Sequence, residues 1–95
     1  MHYRLTKLKF IPEYYDQLFR TMDNQKVEMM AIPGVRWIDS IQISKDELMV
    51  FAQYEKKEQA EAALPKVAEL LGNIKQFLAS PPERVNGDVV WTSRS

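Results

Sequence analysis

The sequence has no cysteine, one histidine and three scattered glycines, and its charges cancel. Without cysteine there is no disulfide, no thiolate nucleophile and no zinc–thiolate site. A single histidine, His2, cannot assemble a metal cluster, and the usual nucleophile–base pairs shrink to Ser or Thr with this His. The glycines at positions 34, 72 and 87 have no phosphate-cradling spacing. Lys and Arg total 13, as do Asp and Glu. That balance lacks the basic surplus of a nucleic-acid binder and gives no long-range steering of a charged substrate. No apolar run approaches ~18 residues, and MHYRLTKLKF lacks the apolar core of a signal peptide. The expectation is a soluble cytoplasmic protein with no metal and no nucleic-acid or membrane partner.

What is present is pattern. Ninety-five residues make one domain, 1–95, and a chain of this size gains from extra burial in a dimer. Aromatic residues reach 11%, and several sit on strand candidates. At the centre, Pro33-Gly34 is followed by two extended runs, 35–44 and 48–54, joined by Lys45-Asp46-Glu47. Alternation puts Val35, Trp37, Ile41 and Ile43 on one face of the first run, with Asp39 among them. The second run is apolar on both faces: Leu48, Val50, Ala52 and Tyr54 on one, Met49 and Phe51 on the other. A two-sided apolar run marks a central strand, so the middle of the chain reads as a β-hairpin.

A helical pattern flanks the hairpin on each side. Pro12 suits a helix start, and Tyr15, Leu18, Phe19, Met22, Met29 and Met30 follow the spacing of one buried face to about Ala31. The second pattern, 57–78, contains Pro65 and Gly72 and should break near both. Strands are expected at 2–10 and 85–92. In the first, Tyr3 and Leu5 share one parity and Leu8 and Phe10 the other, as a bulge or cover on both sides would explain. In the last, Val85, Val89 and Trp91 share a parity, and Asn86-Gly87 suggests a bulge or turn. The order is strand, helix, strand, strand, helix, strand. Right-handed crossovers then give an α+β, ferredoxin-like βαββαβ fold, an antiparallel sheet with both helices on one face. The other face is left bare and apolar, and a homodimer through the sheet would cover it.

YRLTKLKF followed by Ile11-Pro12, Ile32-Pro33-Gly34-Val35, the run MVFAQYEKKEQAEAA and the closing LASPPERVNGDVVW carry a resemblance. The chain resembles the antibiotic biosynthesis monooxygenase-like group of the dimeric α+β barrel superfamily over nearly its whole length. Some members oxidise aromatic polyketides with O₂ and neither metal nor flavin; others cleave haem. Haem-degrading members carry an Asn on the first strand, a Trp ending the third and a His on the following helix. Here those places hold Thr6, Tyr54 and no histidine, which argues against haem degradation. Cofactor-free oxygenation, as the resemblance implies it, needs a pocket that holds an electron-rich phenol and stabilises its anion.

Trp37, Tyr54 and Trp91 are the ligand-contact candidates, with Thr6 beside them, and Arg4 is the candidate for stabilising an anion. Asp39, a carboxylate on an apolar strand face, is a candidate base with a raised pKa. Catalytic candidates are therefore Tyr54, Asp39 and Arg4. The expected pocket lies between sheet and helices, walled by the aromatics of the second, third and fourth strands. The alternative for the aromatics is plain filling of the sheet face or dimer interface. His2 reads as a partly exposed terminal residue. Two function classes stay open: an oxygenase needing no cofactor and acting on a small aromatic or quinone-like molecule, or a non-catalytic module that binds a small ligand or only dimerises.

Overall fold

The computed structural model describes residues 1–94. Strands β1 (His2–Lys9), β2 (Val35–Ser44), β3 (Glu47–Tyr54) and β4 (Glu83–Asp88) form one antiparallel sheet in the order β2-β3-β1-β4. Between β1 and β2 lie a 3-10 turn (Pro12–Tyr14), α1 (Tyr15–Asn24) and α2 (Lys26–Met30). Between β3 and β4 lie α3 (Lys57–Ala62), α4 (Leu64–Gly72) and a second 3-10 turn (Lys75–Phe77). This is the ferredoxin-like fold expected from the pattern. The helices pack on one face through two apolar clusters. One joins Ile32, Ala52, Tyr54, Ala60, Ala63 and Leu70; the other joins Leu8, Phe10, Leu18, Leu48 and Ile74.

Local backbone chemistry explains most element ends. Pro65 sits in the first turn of α4, where its missing N–H is no loss. It therefore divides the second helical region rather than kinking it. The first helical region is divided too, at Gln25, which sequence periodicity did not anticipate. Gln25 is buried, its Oε1 accepts from Asn73 Nδ2 at 2.6 Å, and its Nε2 donates to the Leu70 carbonyl at 3.4 Å. A polar side chain drawn inward to α4 turns the chain there, and Met30, expected in the buried stripe, ends up 43% exposed.

The second and fourth strands carry corrections. Val35 pairs with Tyr54 and Trp37 with Gln53, so Arg36 is an extra residue and the strand is bulged. A bulge of one residue switches faces. Val35 therefore faces the helices while Trp37, Asp39 and Ile41 face away. A second irregularity between Gln42 and Ser44 takes Ile43 out of the ladder. β4 is shorter than expected and ends at Asp88, because β1 begins at His2 and offers no further partner; the last contact is Val89 N–H to the Met1 carbonyl. Asn86 and Gly87 sit in an unbroken ladder opposite Arg4 and Tyr3, with no bulge. Trp91 lies beyond the strand.

Gly34 turns the chain into β2 at φ +87°, a left-handed geometry, and its carbonyl accepts from Glu55 N–H at 2.9 Å. A Cβ there would meet the Gln59 side chain, whose Oε1 accepts from Lys56 N–H. Gly34→Ala is expected to cost about 1–3 kcal/mol in urea unfolding. Gly72→Ala, where a Cβ meets nothing, should leave the midpoint unchanged or raise it. Equal effects at the two positions would show that the Gly34 geometry is not strained.

Candidate functional site

β1 alternates regularly, but against its apolar pattern. His2, Arg4, Thr6 and Leu8 are buried beneath the helices, while Tyr3, Leu5 and Lys7 face outward. Polar side chains thus occupy three of the four inner positions of a central strand. Each must find a partner there or remain costly.

Arg4 is 2% exposed. Its Nη1 donates to Tyr54 Oη at 3.0 Å and its Nη2 donates to the Ala60 carbonyl. Ala60 stands near the end of α3, where helical carbonyls lack intrahelical donors, so the guanidinium also caps that helix. Arg4 Nε is buried with no hydrogen-bond partner. None of the ion pairs among the described residues includes Arg4. A buried guanidinium held only by neutral acceptors is an uncompensated cation.

Arg4 and Tyr54 line a cavity of about 90 Å³ between sheet and helices, with Thr6 and Gln25 as its other polar groups. The rest of its wall is apolar and includes Met22, Met29, Val50 and Val67. Methionine side chains are adaptable, so this wall can yield to a ligand. Gln25 was not anticipated as a site residue; no local signal marks it, since its partners lie on α4 and just beyond.

His2 is not a partly exposed terminal residue. It is 2% exposed, and its Nδ1 lies 2.8 Å from Asp88 Oδ1 across β1 and β4. That hydrogen bond holds the Asp88 carboxyl below its ordinary value, helped by the charges of His2, Lys57 and the amino terminus. Because the folded value is depressed, the contact stabilises the fold above the ordinary carboxylate range. The contribution fades as pH falls through the folded value.

The sheet's outer face presents a groove of about 650 Å³, lined by Tyr3, Leu5, Trp37, Asp39 and Phe51 and closed on one side by Trp91 and Arg94 of the C-terminal segment. The Arg94 guanidinium lies 5.7 Å from the Trp37 ring centroid. Gln53 is buried here, donating to Tyr3 Oη at 2.7 Å. The expected single aromatic pocket is therefore split. Tyr54, Arg4 and Thr6 share the inner cavity; Trp37 and Trp91 share the outer groove; the sheet separates them. Asp39 is exposed in that groove, away from Arg4 and Tyr54. Among the described residues no three His, Asp or Glu side chains cluster as a metal site would need, and no helix is long and apolar enough to cross a membrane.

No protein-family model matches the chain, and no curated protein matches it. Solved structures do. A protein of unknown function from Nitrosomonas europaea superposes with a TM-score of 0.80 at 17% identity, covering 99% of this chain and 93% of that one. A structure named antibiotic biosynthesis monooxygenase superposes at 0.77 with 15% identity, covering 95% and 99%. A variant of SnoaB, a cofactor-independent oxygenase from Streptomyces nogalater, superposes at 0.79 with 9% identity, covering 99% and 97%. The chain has the antibiotic biosynthesis monooxygenase-like fold, as the resemblance implied.

Proposed function

We propose that the chain is an oxygenase that needs no cofactor and takes a small phenol or quinol, bound as its anion beside Arg4, within a homodimer. The observation that carries this reading is the buried Arg4 cation, which meets the cavity and has no carboxylate partner among the described residues. A phenolate placed there would supply the missing charge and give Nε an acceptor. The guanidinium fork would hold the oxygen while the ring lies among Met22, Met29 and Val50. An ionised quinol, or a phenol carrying further electron-donating groups, is electron-rich enough to react with O₂ itself. The overall change is a phenol plus O₂ giving a quinone and water, through a carbon–oxygen bond formed on the ring. The protein's part is to stabilise the anion in a dry site and to hold the ring in place. The cavity is smaller than the 150 Å³ that accommodates benzene in an engineered core, so even a single ring enters only if the methionines move, and larger substrates would need more.

The small apolar volume also favours a second reading, a module that binds such a ligand without turning it over. One experiment separates the two. Single-ring phenols and quinols are added while the methionine methyl signals and dissolved O₂ are followed. Shifts at Met22 and Met29 with O₂ uptake support the oxygenase, and shifts without uptake support the binding module. Unmoved methyl signals throughout the panel would remove both. Tryptophan emission is not the reporter for this site, because Trp37 and Trp91 lie across the sheet.

A further inference from the structure

We propose that the cleft beside β4 is the outer half of this site and takes an anionic arm of the ligand. The ligand is then a phenolic or quinolic acid, with its ring in the inner cavity and a short side chain ending in a carboxylate. This rests on reading the inner cavity as a phenol site and adds the substrate class. The cleft holds about 580 Å³ between α4, the second 3-10 turn and the start of β4. Its walls are mostly apolar, with Ala68, Leu71, Leu78 and the Pro81-Pro82 pair among them. Gly72 also lines it, and a Cβ there would meet nothing within 4 Å, so this part of the cleft is open.

Cleft and cavity adjoin at two points. Leu71 lines both, so one partly buried side chain stands between them. Arg84 of the cleft and Thr6 of the cavity are directly opposed across β4 and β1, which sets them side by side on the helix-covered face. Neighbouring strands lie about 4.8 Å apart, so a short alkyl arm on a ring beside Thr6 spans that step once Leu71 turns aside.

The charge of the cleft decides what the arm carries. Lys75 and Arg84 line it, and neither belongs to any of the ion pairs among the described residues. Among the described residues, no Asp or Glu lines it. The acids nearest in sequence are engaged elsewhere: Glu83 stands opposite Lys7 on the outer side of the sheet, and Glu69 pairs with Lys66. Two cations of one sign over apolar walls focus the field and draw in an anion. Pro81 and Pro82 offer no backbone N–H, so the donors for a carboxylate are chiefly Lys75 and Arg84. From there the path leads to a third cation, Arg4, and no carboxylate lines either space among the described residues. In a chain of zero net charge, that is a segregated, cationic route.

The test uses two probes with the same ring, para-hydroxyphenylpropionate and para-cresol, titrated against the methyl signals of Met22 and Met29. The intact protein should bind the acid at least tenfold more tightly than the cresol at low salt, and the advantage should shrink as salt is added. The double variant Lys75→Gln, Arg84→Gln should erase that advantage and leave cresol binding unchanged. Both residues are exposed and outside the ion pairs described, so folding should survive. Equal affinity for the two probes in the intact protein would end the proposal while leaving the phenol site standing. An advantage that persists in the double variant would place the carboxylate elsewhere, at Arg4, and end it too. Loss of cresol binding in the double variant would make the two cations supports of the cavity rather than partners of an arm, with the same result. Unmoved methyl signals with both probes in the intact protein would end the phenol-site reading and this proposal with it.

Discussion

Arg4→Met is expected to weaken phenolate binding at least a hundredfold while leaving the stability of the chain within about 2 kcal/mol of its starting value. The two halves of this expectation have different origins. A hydrogen bond to a buried anion from a charged donor contributes about 1.5–3 kcal/mol, and Arg4 also supplies the balancing charge. Methionine keeps the apolar stem and loses both. For folding, opposing terms nearly cancel. Removing a desolvated cation that lacks a carboxylate relieves a penalty. Against that, Tyr54 Oη and the Ala60 carbonyl lose their donor, at about 1 kcal/mol each or more. Arg4→Lys should fall between, because an ammonium keeps the charge but cannot span both acceptors in one plane. Probe titration and urea unfolding of the same three proteins give the answer. Unchanged affinity in Arg4→Met would place the anion elsewhere. Loss of the fold would make the guanidinium a structural cap.

The element order was legible because the signals behind it are local. Pro33-Gly34 stops one element, Pro65 starts another, and period-two and helical spacings read directly from neighbours a few residues apart. Leu48, Val50, Ala52 and Tyr54 were correctly placed on one face for the same reason. The site was less legible because its geometry is set by contacts between distant residues. Gln25 bends the first helical region through bonds to Leu70 and Asn73. Asp88 meets His2 from the other end of the chain. Arg36 displaces Trp37 to the outer face through a bulge that no single residue type announces. Trp91 leaves the sheet because its would-be partner strand has already ended. β1 is the sharpest case. Its apolar residues suggested a parity switch, whereas the buried row is His2, Arg4, Thr6 and Leu8 without interruption. A polar row on an inner face is legible only once its partners Tyr54, Ala60 and Asp88 are known. The same departure from the apolar rule marks the row as the functional candidate.

Phe51→Glu is expected to turn a dimer into a monomer at micromolar concentration, raising the dissociation constant about a thousandfold or more. Phe51 stands at the centre of the outer face, opposite Leu5 on β1 and Asp39 on β2. In a two-fold interface every change occurs twice, so the variant would bring two new carboxylates and both copies of Asp39 into one desolvated patch. Burying such like charges costs several kcal/mol, and about 4 kcal/mol corresponds to a thousandfold. In a free chain the same face meets water, so the fold should lose little. Sedimentation should give about twice the chain mass for the unaltered protein and for Phe51→Leu, and the chain mass for Phe51→Glu. Trp37 and Trp91 line this groove, so their emission should move to longer wavelength as the copies separate. A monomeric unaltered protein, or a Phe51→Glu that stays dimeric, would rule out the sheet face as the interface. The inner cavity lies on the opposite side of the sheet, between it and the helices of the same chain. Phenol binding should therefore persist in the Phe51→Glu monomer. If it disappears with the dimer, pairing shapes the cavity through the sheet, and Arg4 and Tyr54 are not sufficient to hold the ligand.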